Sequence, residues 1–102
     1  MTTPGMVITF RTTAEGADQF AGILERALPF VEDEPGTTTW IAGRSADDPT
    51  TFYLVDLFTS PEAVDAHMAG QAAALILGEG GSLLAEPPAI GAMSLLAGRF
   101  TA

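Results

Sequence analysis

TFYLVDLFTSPEAVDAHM, Thr51 to Met68, reads as a strand that runs through a helix start into a helix carrying the only histidine of the chain. The strand covers Thr51 to Phe58. Side chains alternate along a strand, so Phe52, Leu54, Asp56 and Phe58 share one face and Tyr53, Val55 and Leu57 the other. A carboxylate thus stands in an apolar row, and a strand apolar on both faces needs a cover on each side. Ser60 is placed to cap the helix, Pro61 suits its first position, and Glu62 complements its dipole. Val64, His67 and Met68 form its inward stripe, and Gly70 closes it.

Upstream, Met6 to Thr12 (MVITFRT) alternates as a first strand, with Met6, Ile8 and Phe10 on one face. From about Gly16 to Asp33, the residues Phe20, Ile23, Leu24, Ala27 and Val31 recur at the spacing of an amphipathic helix. Pro29 removes a backbone donor and crowds the carbonyl of Glu25, which predicts a kink or a shortened last turn. The run Glu32-Asp33-Glu34 reads as a solvated helix end, and Pro35-Gly36 stops the segment. Thr37 to Arg44 (TTTWIAGR) is a second strand by its β-branched and aromatic content, joined to the third by the turn SADDPT. Downstream, Gln71 to about Leu84 begins as an Ala-rich helix that Gly78, Gly80 and Gly81 weaken. Pro87-Pro88 leads into a last strand expected over Ile90 to Phe100.

The order is β-α-β-β-α-β with the second α element split, an α+β, ferredoxin-like arrangement with an antiparallel sheet. Its helices cover one sheet face only. The other face would leave Tyr53, Val55, Leu57 or their counterparts in water, so a homodimer closing sheet against sheet is expected.

Composition narrows the function. A chain of 102 residues fits a single domain, and 47% hydrophobic against 17% charged residues marks it as globular. Four basic against 13 acidic groups give a net charge of −9, which repels phosphate backbones and anionic lipid and argues against nucleic-acid and membrane partners. With no cysteine, disulfides, zinc-thiolate sites and thiol chemistry are excluded, and one histidine per chain rules out a multi-His metal site. No leader-like or spanning segment is visible, so a cytoplasmic protein without a metal is expected. GEGG at Gly78 to Gly81 follows a helix and lacks the Lys-Ser/Thr of a nucleotide loop.

Three stretches, EPGTTTW (Glu34 to Trp40), DPTTFYLVDLFTSPEAVDAHM (Asp48 to Met68) and LLAEPPAI (Leu83 to Ile90), resemble the antibiotic biosynthesis monooxygenase (ABM) family of dimeric α/β-barrel proteins. The resemblance treats residues 1–102 as one such domain and implies a homodimer with a pocket between sheet and helices in each subunit. It also implies oxidation of polyketide-like phenols, anthrones or quinols by O2, with no metal or flavin cofactor. A histidine at the helix position of His67 recurs in the family. Heme-degrading relatives place an Asn on the first strand, a Trp on the helix after the third and a His on the next helix. This sequence has none of the three, which argues against heme as substrate.

Asp56 lies four residues before the cap, roughly 13 Å at strand rise, and His67 seven residues past it, roughly 10 Å at helical rise. A helix folded back over its own strand brings the two to similar heights. His67 is then a general base whose tautomer and basicity Asp56 fixes, abstracting a proton from a small aromatic substrate. The alternative is a half-buried His67 bonded to backbone and an Asp56 satisfied at the sheet interface. Trp40 is a candidate wall for an aromatic ligand or plain core. Phe20, Phe58, Met68 and Leu75 are core residues that become pocket lining where a cavity exists. Arg11 and Arg44 are expected to pair with the surplus carboxylates. The leading expectation is a cofactor-independent monooxygenase. An acid-base cyclase or isomerase and a non-catalytic aromatic-binding module are the alternatives.

Overall fold

Backbone pairing ties together strands that lie far apart in sequence. In the computed structural model, which describes residues 2–100, the strands are β1 (Pro4–Arg11), β2 (Thr37–Arg44), β3 (Thr51–Phe58) and β4 (Ala89–Ser94). They form one antiparallel sheet in the order β2-β3-β1-β4. The helices are α1 (Ala17–Glu32), α2 (Pro61–Met68) and α3 (Gln71–Gly78), followed by a 3-10 turn at Gly81–Leu83. This is the ferredoxin-like order, with α2 and α3 separated at Gly70.

The helices lie over one face of the sheet. Met6, Ile8 and Phe10 from β1 and Phe52, Leu54 and Phe58 from β3 meet Phe20, Ile23, Leu24, Ala27 and Val31 of α1 there. Phe20 is fully buried between Phe10 and Phe52, with both ring centroids 5.1 Å away. The opposite face is open, with Val7 40%, Tyr53 45% and Ile41 59% exposed. Leu57 belongs to that face yet is buried, because Gly5 opposite it has no side chain and lets Leu57 and Met93 meet over its backbone.

Three local expectations change. α1 continues through Pro29 to Glu32, since Pro29 is exposed and water can take the carbonyl it orphans; the helix then tightens, Asp33 N–H bonding to Phe30 O at 3.3 Å. β4 ends at Ser94 instead of Phe100: its partner β1 starts at Pro4, and beyond Leu95, which bonds to Thr3, the ladder has no further strand. Met68 is 39% exposed and stands at the rim of the α2 stripe, leaving His67 as the buried residue of that helix.

Candidate active site

Ser60 starts the helix that delivers the histidine. Its extended backbone and its hydroxyl, which accepts from Ala63 N–H at 3.1 Å, cap α2, and Pro61 pre-sets the first turn. The helix turns back over β3, so His67 comes to stand above Asp56, which is fully buried. His67 Nε2 and Asp56 Oδ2 are 3.2 Å apart. That is ion-pair distance, but off the line of a straight hydrogen bond, and neither Asp56 oxygen has an aligned partner in the protein. Phe58 flanks the imidazole, its ring centroid 5.2 Å away.

The other ring nitrogen meets a residue that the sequence reading set in solvent. Glu34 Oε1 lies 2.6 Å from His67 Nδ1 and also accepts the Thr37 hydroxyl at 2.8 Å. Two local features bring it there. Glu34 heads a turn through Pro35 and Gly36, closed by Thr37 N–H to Glu34 O at 3.2 Å. A Cβ on Gly36 would stand 2.5 Å from the Ala63 Cβ, so only glycine lets this turn rest on α2. The second feature is a bulge: Thr37 pairs with Phe58 and Thr39 with Leu57, leaving Thr38 extra. By alternation Thr37 and Trp40 would face opposite ways; the extra residue turns both toward the helices.

The site is therefore a buried imidazole between two carboxylates. Burial pushes the Asp56 carboxyl above its ordinary value, and the facing imidazole pulls against that. His67 is raised as well, chiefly by Asp56 beside Nε2, with Glu34 adding to the shift and burial opposing it. The carboxylates occupy opposite ring nitrogens, so the three side chains diverge. Among the described residues no group of three His, Cys, Asp or Glu is placed to hold a metal ion.

A void of about 30 Å³ adjoins His67, walled by Leu54, Met68, Ile76 and Ile90 among others. It has room for about one water. Ile90 also lines a groove of about 460 Å³ between α2 and β4, bordered by Met6, Val64 and Ala92. A second groove, about 480 Å³, runs between α1 and β2 past Trp40, Leu28 and Arg44. Both volumes lie in the range of small-molecule sites.

The residues singled out from sequence thus fall into three places. Asp56, His67 and Phe58 are together, with Met68 at the rim of the small void. Trp40 lies opposite Asp56 in the ladder but lines the other groove, and its buried Nε1 has no partner in the protein. Phe20 is core, and Leu75 packs against the core. Arg44 pairs with Asp18 at 2.9 Å and Arg11 with Glu86 at 3.4 Å. Glu34 was missed because an acid beside other acids at a helix end looks solvated; the signal was its position immediately before a Pro-Gly turn.

No helix among the described residues is long and apolar enough to cross a membrane. Among functionally curated proteins none matches the sequence. Among solved structures, the chain is similar to NE2512, a protein of unknown function from Nitrosomonas europaea, at 32% identity and TM-score 0.89 over 100% of this chain and 97% of that one. It shares the fold of Rv0793 from Mycobacterium tuberculosis (19% identity, TM-score 0.85, 94% and 97% of the two chains). It also shares that of PA3566 from Pseudomonas aeruginosa (16% identity, TM-score 0.84, 95% and 97%). The pattern of the antibiotic biosynthesis monooxygenase family matches residues 5–75, so with this fold and this match the chain belongs to that family.

Proposed function

We propose that the protein is a small cofactor-independent monooxygenase that oxidises an electron-rich aromatic of the anthrone, phenol or quinol type with O2. The observation that carries this reading is the buried imidazole of His67, held between two carboxylates beside a small apolar void that shares its Ile90 wall with the cleft between α2 and β4. Family membership supports the oxygen chemistry. His67 acts as general base with Asp56 beside it, and Phe58 and Met68 are its apolar walls. Phe20 and Leu75 support the site by packing, and Trp40 belongs to the neighbouring groove.

For an anthrone the steps balance without a metal or flavin. His67 takes a proton from the methylene carbon, and the carbanion passes one electron to O2. The radical pair combines, forming a C–O bond to a peroxide. Loss of the second proton breaks the O–O bond, leaving one oxygen as the new carbonyl and releasing the other as water. The apolar surroundings keep bulk water from the carbanion. A second copy of the chain closing over Val7, Ile41 and Tyr53 would complete the fold as a homodimer.

One observation favours a second reading. Burial keeps a proton on Asp56 more readily than on an exposed carboxyl, so the pair offers an acid and a base together, as a cyclase or isomerase needs. Oxygen uptake by metal-stripped, flavin-free protein separates the two. With anthrone or hydroquinone, uptake should match quinone formed and disappear in His67→Ala. Product formed equally without O2 would point to the isomerase. Saturable binding with no turnover, unchanged by His67→Ala, would leave only a binding module.

A further inference from the structure

Resting on the reading of His67 as base, we propose that Glu34 is the positioning residue that orients the imidazole, leaving Nε2 as the nitrogen that exchanges protons at Asp56 and with a substrate. The two contacts to the ring are unequal. At Nδ1, Glu34 Oε1 stands at 2.6 Å and in line, and is itself held by the Thr37 hydroxyl. At Nε2, Asp56 Oδ2 stands at 3.2 Å and out of line. A short, aligned, braced contact fixes the tautomer: Nδ1 keeps its proton and gives it to Glu34 as a hydrogen bond, and the lone pair is left on Nε2. The looser contact is the one a substrate hydroxyl or acidic C–H can displace.

The surroundings fit this division. Glu34 is anchored on three sides, by Thr37, by the turn resting on Ala63, and by Gly70, where an added Cβ would come within 3.0 Å of Oε2. Its side chain is 18% exposed, whereas Asp56 at 0% exposure is the poorer seat for a permanent charge. Asp56 is then the proton-sharing partner of Nε2, and the orienting task it was given from sequence falls to Glu34.

Because the chain has one histidine, its ring N–H protons can be assigned without ambiguity. In the wild-type protein a proton resonance well downfield of the amides, bonded to Nδ1, is expected. It should persist in Asp56→Asn, shift but persist in Thr37→Val, and move upfield or vanish in Glu34→Gln, whose amide oxygen is the weaker acceptor. With anthrone as substrate, Glu34→Gln should lower kcat roughly 10²-fold or more with little change in KM, and Glu34→Asp should recover part of it. A resonance that keeps its position in Glu34→Gln, is lost in Asp56→Asn, or is missing from the wild type would overturn the assignment. Should Glu34→Gln fail to fold, a Thr37→Val resonance identical to wild type would do the same. The spectra need no substrate, so they can fail while oxygen uptake succeeds, and the reverse.

Discussion

Glu34 closes on His67 from 33 residues upstream, Oε1 standing 2.6 Å from Nδ1, and this contact joins the α1–β2 turn to the helix that follows β3. A helix end, a Pro-Gly turn and a one-residue bulge converge on one imidazole.

Gly36 is the residue on which that convergence depends. Gly36→Ala drives a methyl into the Ala63 Cβ, a short side chain that cannot swing aside, so the turn must lift from α2. The expected loss is about 1–3 kcal/mol of stability. Urea denaturation should show a lower midpoint with an unchanged slope, and an unchanged midpoint would mean that the turn does not rest there.

Phe20 anchors the helix layer. Phe20→Ala removes a ring that has no exposed surface and leaves a cavity between Phe10 and Phe52. The cost should be about 3–5 kcal/mol, enough to unfold a marginal domain at room temperature. Thermal melting measures it, and a loss below 1 kcal/mol would show that the core repacks freely.

Stability should fall as the solution becomes alkaline. Asp56 and His67 both have folded pKa values raised above their ordinary 3.8 and 6.5. The stability linked to a raised group is fully present below its unfolded pKa and is lost as pH rises through its folded pKa. For His67 the loss begins above pH 6.5. Tm should therefore drop as pH rises above about 6.5, with a flatter profile in the Asp56→Asn, His67→Gln double variant. Proton abstraction should show the opposite trend, kcat/KM rising as His67 gives up its proton. A Tm that rises over that range would contradict the buried pair.

The open sheet face predicts assembly. Val7 sits on it opposite Val55 and Gly91 and is 40% exposed in the single chain. Wild-type protein should scatter light with twice the chain mass. Val7→Glu would bury an unpaired charge in a sheet-on-sheet contact and should yield a monomer. A Val7→Glu protein that remains dimeric would place the contact elsewhere.

The frame of the molecule was legible because its signals are periodic. The α1 stripe from Phe20 to Val31, the alternation around Asp56 and the Ser60-Pro61 cap each state a local geometry, and the strand lengths then restrict the topology. The meeting of His67 with Asp56 followed from rise per residue once the helix is folded back over its own strand. Glu34 did not, because its contact depends on a bulge at Thr38 that shifts the register by one, and alternation counts no bulges. The end of β4 was misjudged for a similar reason: Leu95 to Phe100 has strand composition, but a strand needs a neighbour, and β1 has already begun. Cavities were the least legible, since Trp40, Phe20 and Leu75 read alike as apolar residues whether they face a groove or a packed interior.

The lone imidazole is clamped between two carboxylates inside the protein. A nitrogen-15 NMR titration of His67 in the unmodified protein reads that clamp at the ring itself. The clamp predicts a ring that stays protonated above the ordinary 6.5, with its two nitrogens titrating as distinct environments. A midpoint at or below 6.5, with the ring exchanging freely between tautomers as an exposed histidine does, would contradict it.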